Sequence, residues 1–138
     1  MATRESASSV KYVQGFDNTN ITANGDTLGE PVDTLGFNSV TLAISSWNGA
    51  WSDGTYTVEV FECDTLSGSY TEVTNAGDLV TASGTESLSA DNKAAWIGYV
   101  GNKRFVKMQV AATGVSSGAY ISGWVMLGHP RVAPVTSN

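Results

Sequence analysis

Five side chains in this sequence carry the chemistry from which an active site is usually built: the only imidazole, His129, the only thiol, Cys63, and the nearby carboxylates Glu59, Glu62 and Asp64. A metal centre or a nucleophilic triad needs several such groups to converge. His129 stands in Leu127-Gly-His-Pro-Arg131 with no Cys or second His near it, and Pro130 fixes a turn or strand end there. Cys63 has no partner for an intramolecular bridge and reads as a small hydrophobe of a strand. Glu59 and Glu62 fall at odd and even positions of one extended run, so they project from opposite faces and do not flank a single glycosidic bond. Asp17-Asn-Thr-Asn20 has calcium-ligand types but lacks the closing Glu of a calcium loop. A phosphate-cradling loop is missing from the sequence. The expectation is a protein that is not an enzyme, with no catalytic residue, no metal site and no cofactor.

Binding chemistry is better represented. Trp47 and Trp51 bracket the turn Trp47-Asn-Gly-Ala-Trp51-Ser-Asp-Gly54, where two indoles serve either as a ligand platform stacking on sugar rings or as structural residues at the end of a sandwich or in an oligomer contact. Lys103, Arg104 and Lys107 are three of the seven Lys and Arg residues and follow Gly101-Asn102 directly. They read as solubilising charge at a strand edge or as a contact for an acidic surface. In Gly118 to Leu127, the residues Ala119, Ile121, Val125 and Leu127 point one way with Gly123 among them, and Tyr120, Trp124 and Met126 point the other. A strand apolar on both faces is sandwiched between layers or covered by another subunit.

The elements that position these residues are short strands. Fifteen Gly, many Thr, Ser and Val, and few Lys, Glu or Leu disfavour helices, and 138 residues suffice for one domain with its own core. In Phe37 to Ser46, Val40, Leu42 and Ile44 share a face; in Thr55 to Glu62, Tyr56, Val58 and Val60 do. The two segments read as neighbouring antiparallel strands. Ile97 to Val110 reads as a hairpin about Gly101-Asn102, since both residues tolerate the positive φ of tight turns. Asp17 to Pro31 reads as loop-rich, with short strands at 69–73 and 85–88. Turn signals every eight to twelve residues predict an all-β fold, an antiparallel β-sandwich that is jelly-roll-like or immunoglobulin-like. Residues 1–9 are expected to form a flexible N-terminal arm, 10–134 the single domain and 135–138 a tail.

The net charge is −6, unevenly placed: all thirteen acids lie at or before Asp91 against two bases, net −11, and residues 92–138 hold five bases and no acid, net +5. Kept in space, that division would let neighbouring copies meet acidic edge to basic edge; interleaved strands would erase it. Five cations without an aromatic-studded basic stripe exclude nucleic acid as the expected partner. Long apolar runs and an apolar leader are both lacking, so a soluble protein made in a cytoplasm, without membrane contact, is expected.

Several of these segments, taken in order, resemble a known group. Phe37-Asn-Ser-Val-Thr-Leu, Asp53-Gly-Thr-Tyr-Thr-Val-Glu-Val, Gly68-Ser-Tyr-Thr-Glu-Val, Ile97-Gly-Tyr-Val-Gly-Asn-Lys-Arg-Phe-Val and Leu127-Gly-His-Pro-Arg-Val-Ala-Pro134 are similar to the small β-rich head proteins of tailed bacteriophages. The resemblance implies a capsid decoration, or cement, protein on the outer virion surface, with the major capsid protein and its own copies, as a homotrimer, for partners. It maps no contact residue. Our own assignment places capsid contact at Val10, Tyr12 and Phe16 and at the basic turn Lys103, Arg104 and Lys107, and contact between sister copies at Tyr120, Trp124 and Met126. The alternatives from other classes are a carbohydrate-binding module using Trp47 and Trp51, and a neck or tail structural protein.

Overall fold

A computed structural model describes residues 9–75, 77–80 and 87–132. Its strands are Val10–Ile21 (β1), Gly25–Leu28 (β2), Val32–Asp33 (β3), Phe37–Ser45 (β4), Thr55–Cys63 (β5), Thr71–Glu72 (β6), Leu79–Val80 (β7), Ser87–Leu88 (β8), Ala94–Tyr99 (β9), Phe105–Thr113 (β10) and Ala119–Pro130 (β11). They form two wholly antiparallel sheets. One runs β1-β11-β4-β9-β7; the other runs β2-β10-β5-β6, with β3 also on β10 and β8 also on β5.

The wiring decides between the two sandwich families. Chain order carries β1 to the first sheet, β2 and β3 to the second, β4 to the first, β5 and β8 to the second, β9 to the first, β10 to the second and β11 to the first. The order β1-β11-β4-β9 facing β2/β3-β10-β5-β8 is that of an eight-stranded jelly roll, with β6 and β7 added in the excursion between β5 and β8.

That wiring corrects two expectations. Ile97 to Val110 is not a hairpin: β9 pairs with β4 and β7, whereas β10 pairs with β2, β3 and β5 in the opposite sheet. Gly101 is required there for space rather than for a positive φ, because any Cβ on it would collide with the Tyr99 ring. Likewise β4 and β5 are not neighbours; they face one another across the core. Where nearly every connection crosses between sheets, the rule that consecutive strands pair fails, and among the described residues only β5 and β6 are consecutive strands that do.

The stretch 17–31 is also less loop-like than expected. Asp17 to Ile21 completes β1, which pairs with β11 through register shifts at Gln14/Phe16 and Phe16/Thr19, and Gly25–Leu28 pairs with β10. The proposed arm and tail fall largely at 1–8 and 133–138, outside the described residues.

The face assignments within strands hold. Leu42, Ile44, Ile121, Val125 and Leu127 from the first sheet meet Tyr56, Val58, Val60, Val106, Met108 and Val110 from the second, all essentially without solvent exposure. Phe16 joins them, seated on Gly123 with Met108 alongside so closely that a Cβ on Gly123 would strike both. Burial of this kind, about 25 cal/mol per Å² of apolar surface, is what closes the two sheets.

Candidate functional site

The outer face of the first sheet is where large apolar side chains and solvent meet. Antiparallel register fixes which residues lie side by side. One row runs Tyr12, Met126, Thr41, Gly98, Val80 across β1, β11, β4, β9 and β7; the next runs Gln14, Trp124, Ala43, Trp96. Alternation puts Val40, Leu42, Ile44, Ile97, Val125 and Leu127 inward, and so leaves these residues outward. Trp124 and Trp96, on strands two apart, stand roughly 10 Å from each other in the sheet, with the small Ala43 between them. Thr41, Ala43, Val80, Trp96, Gly98 and Met126 line an open trough of about 460 Å³. Apart from the Tyr12 phenol neither row contains an ionisable side chain; Asp17 marks the β1 rim, accepting from the Gln14 amide at 3.0 Å.

The expected subunit-contact residues Tyr120, Trp124 and Met126 all lie on this face. Tyr120 and Trp124 are 43% exposed and Met126 is half-buried. Trp96 and Val80 belong with them and escaped the sequence reading. The signal was present for Trp96: Ala95, Ile97 and Tyr99 alternate inward, which sends the indole between them out.

Trp47 and Trp51 separate in space. Trp51 packs against the core, donates its indole N–H to the Gly54 carbonyl at 3.0 Å, and has its backbone N–H on the Asp91 carboxylate at 2.7 Å. Trp47 lies outward and stacks on Tyr120, 6.0 Å between centroids. The loop thus offers one exposed indole, continuous with the sheet face, rather than a pair.

Of the expected capsid contacts, Tyr12 is 61% exposed and Val10 half-buried on β1, the long edge strand of the first sheet among the described residues. Phe16 is corrected: a β-bulge turns it into the core, 6% exposed, where it cannot touch a partner. The three basic residues sit together at one end but are each engaged. Arg104 clasps Asp33 with two bonds of 2.9 and 2.7 Å, Lys103 holds Asp64 at 2.6 Å, and the Lys107 ammonium lies 4.4 Å from the Tyr70 ring centre. Arg104 holds the Asp33 carboxyl below its ordinary value. Both acids come from the acidic half of the sequence, so interleaving neutralises the charge division at this end.

The groups first considered for chemistry are dispersed. His129, at φ 49°, reaches the Ser39 hydroxyl at 3.0 Å; Glu59 accepts from Gln109 at 2.8 Å; Glu62 accepts from Tyr99 at 2.5 Å. Burial raises the Glu59 carboxyl, the Gln109 bond opposing it in part. Among the described residues no group of three or more His, Cys, Asp or Glu is arranged to hold a metal ion.

No protein-family model matches the chain, and no curated protein matches it. Among solved structures it is similar to the SPBc2 prophage-derived protein YomS, at 14% identity and a TM-score of 0.54, over 87% of this chain and 93% of that one. It is similar as well to the PBSX exported protein XepA, at 14% identity and a TM-score of 0.53. That likeness takes in 99% of this chain but 42% of XepA, so the chain spans less than half the length of that protein. What is shared at such identity is the fold.

Proposed function

We propose that this chain is a structural virion protein that binds the outer surface of a phage capsid and fastens neighbouring major capsid subunits. The observation that carries its assembling, protein-binding part is the uncharged aromatic face of the first sheet: an exposed apolar surface of this extent marks a protein contact rather than a solvated wall. Its apolar lining is poorly suited to a glycan, whose hydroxyls need polar partners beside the stacking rings. The resemblance of the head-protein segments supports the assignment, and the fold held in common with a prophage-derived protein is consistent with it.

In this reading Val10 and Tyr12 at the β1 edge and the basic end around Lys103, Arg104 and Lys107 meet the capsid, and the sheet face meets another copy. Repetition over a lattice then multiplies weak contacts into firm attachment. The test is co-sedimentation of the purified protein with expanded and unexpanded capsids lacking it. Saturable binding to expanded capsids at a fixed ratio to major capsid protein is expected, and Tyr12→Ala together with Lys103→Glu should weaken it. Absence of binding to either form refutes the proposal and favours the neck or tail reading.

A further inference from the structure

We infer that the outer face of the first sheet is the contact between two copies of this chain, packed face to face; the inference rests on reading the chain as an assembling structural protein. Three observations select a second copy as the occupant.

The first is area. Trp47, Val80, Trp96, Tyr120 and Trp124 are each between 39 and 54% exposed. At about 150–250 Å² per aromatic side chain, they present roughly 400 Å² of largely apolar surface. That is about half of the ~800 Å² each partner brings to a standard interface. Among the described residues the remaining exposed large hydrophobics, Leu28, Leu35, Leu66, Val100 and Val132, come singly from separate strands and loops.

Charge is the second. At a net −6, two copies repel one another in general. The rows from Tyr12 to Val80 and from Gln14 to Trp96 hold no acidic or basic side chain, with Asp17 only at the β1 rim, so identical acidic molecules approach one another over these rows with little like-charge penalty.

Shape is the third. On β9 the bulky Trp96 stands beside the bare Gly98, and on β4 the small Ala43 stands beside Thr41. A two-fold axis lying in the contact plane across the strands, between the rows, exchanges them. Each copy's Trp96 then fills the hollow over the second copy's Gly98 and Thr41, and its Trp124 lies on Met126. A single self-complementary patch is what an isologous pair requires, whereas a ring of three needs two different matching patches on each subunit. At this face the inference is a pair, where the resemblance implies a homotrimer.

Sedimentation equilibrium of the purified chain alone tests this, without any capsid, from about 1 μM to 1 mM, the span over which weak to moderate affinities register. The expected result is a concentration-dependent rise from 14.4 kDa to twice that mass. Ala43→Arg, which sets a charge at the centre of the trough, should shift dissociation at least tenfold towards the monomer while circular dichroism stays that of the wild type; should Ala43→Arg not fold, Trp96→Ser gives the same reading. A wild type that remains at 14.4 kDa, a three-copy mass, or folded variants that stay paired overturns the inference. Capsid binding by a monomeric wild type would sink the pairing and spare the proposed function; pairing without capsid binding would do the reverse.

Discussion

Tyr99 on β9 donates its hydroxyl to the Glu62 carboxylate on β5 at 2.5 Å, and the same oxygen accepts the Lys103 backbone N–H at 3.0 Å, so one phenol ties the two sheets together where the chain crosses between them. Burial first, and the Glu62 bond next, push this phenol well above its ordinary value. Tyr99→Phe removes the tie and leaves a half-buried carboxylate and a backbone donor without their partner. A loss of about 1.5–3 kcal/mol, the range for hydrogen bonds to charged groups, is expected from the shift in denaturant midpoint. Because the folded-state value lies above the unfolded one, the contribution is whole below about pH 10 and disappears as pH rises beyond it. The wild type should therefore lose stability in alkali faster than Tyr99→Phe.

Asp53 fastens the turn before β11. Its carboxylate accepts the backbone N–H groups of Ser116, Ser117 and Gly118, at distances down to 2.9 Å, and these bonds hold its pKa below the usual carboxylate value. With the folded value depressed, the stabilisation is present above the unfolded value, near pH 4, and is lost as pH falls through the folded one. Asp53→Asn should flatten the thermal midpoint against pH below about pH 4 relative to wild type. Identical acid limbs for the two proteins would show that the carboxylate does not hold the turn.

Glu59 should behave oppositely. Burial lifts its pKa, so the ionised form burdens the fold at neutral pH and protonation relieves that burden as pH falls through the raised value. Glu59→Gln keeps a partner for Gln109 and removes the charge. It should gain stability at pH 7, by under about 1 kcal/mol since the group is largely solvent-screened, and the gain should vanish below about pH 4. A variant less stable than wild type at pH 7 would mean that the charged bond to Gln109 outweighs desolvation.

How far these features were legible in the sequence depends on the range of the interaction that sets them. The inward positions of β4, β5 and β11 follow from alternation alone, which is a local property of extended chain. Which strands pair is not local: β9 and β10 are separated by five residues yet enter different sheets, β9 pairing with β4 and β7 and β10 with β2, β3 and β5, all distant in the chain. Phe16 was misplaced for a related reason. A bulge shifts the β1 register between Gln14 and Phe16, and period-two reasoning passes over a shift that only the partner strand β11 reveals. Lys103 and Arg104 were recognised as a cluster, but Asp64 and Asp33, which occupy them, lie 39 and 71 residues away.

Gly123 gives that long-range packing a measurable handle. A methyl at this position would enter the space held by the Phe16 ring and the Met108 sulfur, both from other strands. Gly123→Ala should cost about 1–3 kcal/mol, as overpacking of a filled core does. Shortening one neighbour should return part of the loss, so Gly123→Ala combined with Met108→Val is expected to be less destabilised than the two separate losses added together. Strict additivity would remove the three-residue contact from the account.

The tryptophan turn supplies the last prediction, since its two indoles differ in burden. Trp51 is packed on the core with its N–H on Gly54, so Trp51→Ala opens a cavity and strands a carbonyl; a loss of about 3 kcal/mol is expected, the lower end of the range for truncating large aromatics, since the indole is only partly buried. Trp47 touches Tyr120 on the surface, so Trp47→Ala should cost no more than the ~0.5–1.5 kcal/mol of an aromatic pair. Urea titrations of the two variants separate these cases. If Trp47→Ala proved the more damaging, the turn would be held from its outer side, and the sheet face would lose Trp47 as a residue free to meet a partner.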